Sequence, residues 1–301
     1  MNKKLLGAEH PDTLISMANL ARTYADKGNF NEAEQLEIHV LDMSKKLLGE
    51  EHPDTLRSMA NLARTYANRG NFDEAEQLEV QVLDLRKKLL SAEHPHTLLA
   101  MGNLASTYSS QGKWDEAEQL EVQVLNMSKK LLGKEHPDTL ISMENLAGTY
   151  VGKGHFNEAE QLEVQVLNMR KKLFGAEHPY TLLSMGNLAS IYSSQGKWNE
   201  SEHLEVQVLN MRKKLFGAEH PGTLRSMTNL ARTYANQGNF NEAAHLEIQV
   251  LDVRKKLLGA KHPDILRSMA NLARSYADKE SLNETVQLEV QVLGIKNKLK
   301  C

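Results

Sequence analysis

Each of the chain's seven prolines follows a histidine, and successive pairs, from His10-Pro11 to His262-Pro263, lie 42 residues apart. A fixed period of this length means that each unit buries its apolar face against its neighbours, so the chain is a stacked array with no single closed core. The units run over 10–51, 52–93, 94–135, 136–177, 178–219, 220–261 and 262–301. Residues 1–9 repeat the end of a unit, since Lys3 to His10 matches Lys45 to His52, and the sequence therefore reads as a fragment of a longer repeat protein. The expectation is one repeat domain over 1–301.

Within a unit the apolar spacing is helical twice. Leu14, Met17, Leu20, Ala21 and Tyr24 share one face of a first helix, about 11–26, with Pro11 at its opening position, where the lost N–H costs nothing. Gly28-Asn29 breaks the pattern. Asn31 followed by Glu34 reads as a capping box opening a second helix, about 31–48, with the stripe Ala33, Leu36, Val40, Leu41, Met43, Leu47 and Leu48. Small residues recur at Ala21 and Ala33, as close helix packing requires, and the aromatic column Phe30, Phe72, Trp114, Phe156, Trp198 and Phe240 reads as core beside them. Each unit is a helix hairpin.

The pattern Met17-x-x-Leu20-Ala21-x-x-Tyr24-x-x-x-Gly28-x-Phe30-x-x-Ala33 resembles the tetratricopeptide repeat, and the 42-residue unit with its His-Pro junction is similar to the kinesin-light-chain type. The stretches Ser58 to Ala63 and Glu74 to Leu83 most resemble the repeat arrays of fungal NLR-like signalling ATPases. The resemblance implies an all-α solenoid, a right-handed superhelix of seven tetratricopeptide hairpins, with the first helices lining a concave groove. Two departures stand out. A glutamate column, Glu37, Glu79, Glu121, Glu163, Glu205, Glu247 and Glu289, lies beside the apolar stripe, and its expected partners are tyrosine or backbone, because arginine does not recur in every unit. The last unit carries Glu280 for the turn glycine and Thr285 for the small alanine, so it is expected to be a looser or capping repeat.

Charge and composition narrow the function. Lys+Arg 36 against Asp+Glu 39 leaves −3, no field for holding nucleic acid. No apolar run long enough to span a membrane and no signal peptide is present, and the only cysteine is Cys301, so a cytoplasmic protein is expected. The histidine columns are too widely spaced for one metal ion and read as helix entries, and no nucleophile–base constellation rises above the repeat background. No enzyme, cofactor or metal is expected.

Two columns on the first helix point to a ligand. Asn61, Asn103, Asn145, Asn187 and Asn229 sit in helix interiors where asparagine is a middling helix former, and an amide can donate to and accept from a peptide backbone at once. Beside them Arg57, Leu99, Ile141, Leu183 and Arg225 vary, and so do Arg64 and Arg232 against Ser106, Gly148 and Ser190. The expectation is a protein-binding scaffold, holding an extended peptide in a groove with an apolar middle and basic ends, as the sensing region of a larger NLR-like protein. A self-assembling array stacked end to end and a kinesin-light-chain-like cargo adaptor are the alternatives.

Overall fold

The structure is a computed structural model that describes residues 7, 10–258, 262–278 and 292, and every regular element among them is an α-helix. The chain divides into two compact units, Met1–His155 and Phe156–Cys301. The first holds α1 (Pro11–Asp26), α2 (Phe30–Leu48), α3 (Pro53–Arg69), α4 (Phe72–Leu90), α5 (Pro95–Ser110), α6 (Trp114–Leu131) and α7 (Pro137–Gly152). The second holds α8 (Phe156–Phe174), α9 (Pro179–Ser194), α10 (Trp198–Phe216), α11 (Pro221–Asn236), α12 (Phe240–Leu258) and α13 (Pro263–Asp278). Within each unit consecutive helices are packing neighbours, the sequential hairpin packing of an α-solenoid. The features expected at Glu280, Leu282, Thr285 and Glu289 lie outside the described residues.

The His-Pro pair opens every odd-numbered helix. The histidine is extended, as a residue before proline must be, and its Nδ1 accepts from the backbone N–H two residues on, at 3.2 Å for His10, His52, His136 and His178. A threonine then ties the junction. Thr55 Oγ1 donates to Gly49 O at 2.7 Å, and Thr97, Thr139, Thr181 and Thr223 repeat the bond one unit apart. The carbonyl they bind belongs to a residue at φ near +90°, which is glycine at 49, 133, 175 and 217 but Ser91 at φ 99°.

The even-numbered helices begin one residue earlier than expected, at the aromatic, and no side chain caps α2, α4, α6 or α10. The expected capping box at Asn31 and Glu34 is therefore corrected. The preceding helix closes with Asn29 N–H on Tyr24 O at 2.9 Å and Gly28 N–H on Ala25 O, and this turn carries the chain directly into the next helix. The carbonyl of residue 29 then accepts from Ala33 N–H, so backbone alone makes the start, and lysine serves as well as asparagine at 113 and 197.

Small residues form the seam between paired helices. Ala21, Ala33, Ala63, Ala75, Ala105 and Ala117 are fully buried. Ser201, which replaces alanine in that column, is also fully buried, and its hydroxyl donates to Ala189 O at 2.9 Å. Around the seam the core crosses repeat boundaries. Leu41 of the first repeat packs with Leu56, Met59 and Leu62 of the second, and Leu209 with Leu224, Met227 and Leu230 in the second unit. Burial of such side chains at about 1.5–3 kcal/mol each is available to a repeat only when its neighbour is folded.

Candidate functional site

Within each compact unit the odd-numbered helices carry the residues singled out from the sequence. A pocket of about 540 Å³ lies between α3 and α5, and Asn61, Asn103, Arg57, Arg64 and Leu99 all line it. In the second unit Leu183, Asn187, Arg225, Asn229 and Arg232 line a pocket of about 340 Å³ between α9 and α11. Ile141 and Asn145 are exposed on α7 at the same positions of their repeat. Among the described residues the side-chain amides of Asn61, Asn103, Asn145 and Asn229 make no hydrogen bond. Asn271 is different, since its amide reaches the Glu247 carboxylate at 3.5 Å.

Sequence reasoning missed the floor of these pockets. Leu47 and Leu48, assigned to the buried stripe, are 43% and 44% exposed, and their equivalents Leu89 and Leu90 line the pocket between α3 and α5. Arg86 of α4 lies beneath them, buried, with its guanidinium donating to His96 O at 2.7 Å. The signal was present as a Lys-Lys-Leu run followed by leucine or phenylalanine at the end of each even-numbered helix, but dipole complementarity and stripe membership accounted for it on their own. The two carboxylates at the pocket edge already have partners: Asp54 pairs with Arg57 at 2.9 Å and Glu51 with Lys88 at 2.5 Å.

The described glutamates of the column, from Glu37 to Glu247, are buried, and four of them are bonded to threonine rather than tyrosine. Thr65 hydrogen-bonds Glu37, and Thr107, Thr149 and Thr233 do the same for Glu79, Glu121 and Glu205, each from the next repeat. The expected tyrosine partner is thus corrected to the threonine just before it, whose hydroxyl faces the even-numbered helix of the preceding repeat. One oxygen of Glu37, Glu79, Glu121 and Glu205 is satisfied in this way and one of Glu247 by Asn271, while Oε2 of all five is buried without a hydrogen bond. Burial outweighs these bonds and raises all five, Glu121 to about 6 and Glu247 to about 7. Arg64 and Arg232 partly oppose the rise at Glu37 and Glu205.

Among the described residues no group of three or more His, Cys, Asp or Glu side chains is placed to hold a metal ion, and no helix is long and apolar enough to cross a membrane. The site is a surface of amides, guanidiniums and leucines.

Models of the tetratricopeptide repeat match residues 97–172 and, in four further copies, 13–54, 55–96, 181–222 and 223–264. The chain belongs to the tetratricopeptide repeat family, a family of protein-binding scaffolds. A protein of nearly identical TPR-like repeats from Podosopora anserina, provisionally assigned to kinesin light chain, is 38% identical with a TM-score of 0.62, over 68% of this chain and 97% of that one. BtubC of P. vanneervenii shares the fold at 20% identity and a TM-score of 0.60, over 83% of this chain and 94% of its own. So does a STAND protein with a tetratricopeptide sensor from Pyrococcus horikoshii, at 14% identity and a TM-score of 0.69, over 95% of this chain and 42% of that one. No curated protein matches the chain.

Proposed function

We propose that each unit holds an extended segment of a partner protein on the exposed face of its odd-numbered helices. The asparagine amides meet the segment's backbone and the arginines meet its acidic side chains. The observation that carries this reading is the pocket between α3 and α5, where Asn61 and Asn103 keep unused amides beside Arg64 and the 57%-exposed Leu99. An exposed leucine ringed by unused hydrogen-bonding groups is expected of a surface that is covered in use. We place the protein in the cytoplasm as the sensing region of a larger NLR-like protein, a setting supported by the repeat phrases at Ser58 to Ala63 and Glu74 to Leu83. The likeness to the Podosopora anserina array favours a second reading, an adaptor of the kinesin-light-chain type.

Panning a library of extended peptides on the immobilised protein tests the site. Asn103→Ala, Asn145→Ala and Asn187→Ala together should abolish peptide capture with circular dichroism unchanged. Arg64→Ala with Arg232→Ala should weaken capture and flatten its salt dependence. Capture that survives both sets of changes removes these helices from the site. Selected sequences that occur in kinesin heavy chain or its cargoes would move the setting to the adaptor.

A further inference from the structure

We infer that the pocket between the second and third repeats is built for an apolar side chain adjoining a carboxylate, with Arg86 as the anion's partner and Leu99 as the residue that selects the apolar group. The inference rests on the peptide reading above and names the chemistry of one part of the ligand. Arg86 is 8% exposed, lines the pocket, and makes one hydrogen bond, to His96 O. A guanidinium carries five N–H donors and a full charge, and holding it out of water without a counter-charge is costly. Among the described residues no carboxylate reaches it. The pocket's own carboxylates are neutralised elsewhere, Glu51 by Lys88 and Asp54 by Arg57. Above the guanidinium the lining is apolar, with Leu89, Leu90 and Leu99 each between 40% and 57% exposed.

The second unit supplies an internal contrast. A pocket of about 470 Å³ between α11 and α13 uses the same repeat positions, with Arg254 for Arg86 and Leu257 and Leu258 for Leu89 and Leu90. There Asp264 replaces His96 and Arg267 replaces Leu99, and these two pair at 2.6 Å. Asp264 also attracts Arg254, whose guanidinium donates to Ser268 Oγ at 2.6 Å. Asp264 and Glu247 thus offset part of the cost of burying Arg254, whereas no carboxylate does so for Arg86, and the leucine that would grip an apolar group is missing. One frame yields a site whose buried charge is wholly unmet and a site where it is partly met.

The test uses the whole chain and short fluorescein-labelled peptides in which Gly-Ser spacers flank Leu-Asp, Leu-Asn or Ser-Asp. Fluorescence polarisation should show Leu-Asp bound about tenfold or more tighter than either control, the weight of a charge-assisted hydrogen bond. Arg86→Ser installs the residue that stands at 44 and 128 in other repeats, and it should erase the preference for Asp over Asn. Leu99→Arg installs the residue found at 225 and 267, and it should erase the preference for Leu over Ser. Arg254→Ser should change neither. Preferences that persist in Arg86→Ser with helicity intact, or that Arg254→Ser removes equally, overturn the inference. Peptides that bind without discrimination and are released by Asn61→Ala with Asn103→Ala sink the pocket's chemistry but leave the peptide reading standing. If no peptide binds the wild-type chain, both fall.

Discussion

Glu121→Gln should remove a pH-dependent loss of stability from the array. The side chain is 6% exposed, Thr149 bonds one carboxylate oxygen, and the other is buried without a partner. Its carboxyl consequently titrates at about 6 where an ordinary glutamate titrates at 4.5. Below pH 4.5 the folded and unfolded chains both hold the proton and no penalty arises. As the pH rises from 4.5 to about 6 the unfolded chain ionises while the folded one does not, so stability falls; above about 6 both are ionised and the loss stays constant. A displacement of about one and a half pH units, at about 1.4 kcal/mol for each, is worth at most about 2 kcal/mol. Glutamine can still accept from Thr149 but does not titrate, and any cost of its buried amide is independent of pH. Urea unfolding followed by circular dichroism from about pH 4 to about pH 8 should show the difference between variant and wild type growing in the variant's favour through that window, then levelling. Curves that run parallel across it would refute the account of the column as strained carboxylates.

Three further outcomes follow from the same structure. Thr149→Val removes the donor to Glu121 and should cost about 1–3 kcal/mol near neutral pH while moving the carboxyl's titration further upward, both readable from the same pH series. Ser91→Gly relieves the one non-glycine residue at positive φ among the described residues and should stabilise the chain by about 1 kcal/mol in thermal melts; an unchanged or lowered melting temperature contradicts it. Gly152→Ala places a Cβ 2.6 Å from the Trp114 ring and should cost about 1–3 kcal/mol, recovered in large part by adding Trp114→Phe, whereas additive costs in the double variant would rule out the clash.

The repeat period alone was enough for the helix hairpins, because apolar spacing, the proline and the turn glycine all agree on where each helix lies. The start of the even-numbered helices was misplaced by one residue because the capping-box motif is a side-chain signal, while this start is set by backbone bonds from residues 28, 29 and 33. The glutamate partner was misread for a related reason. Constancy down the units favoured tyrosine over arginine, yet the threonine just before the tyrosine points to a different neighbour, and Ile191 interrupts its column. The asparagine and arginine columns were visible as variation on a fixed frame. Arg86 was not, because its pocket draws on α3, α4 and α5 from two repeats, and periodicity within a unit does not say which helix end closes the gap between the next two.

The clasp at the first six His-Pro junctions, with the histidine on the following N–H and the threonine on the carbonyl six residues back, is made entirely within one short stretch of chain. A gene that gains or loses a whole unit therefore rejoins ends that already fit, and array length is free to drift. Trp114 against Gly152 is an exception, a bulky ring matched to a missing side chain one repeat away. The fifth repeat carries the same ring, Trp198, but has Asn236 at the glycine's position one repeat on, so the match of ring to missing side chain is particular to the third and fourth repeats.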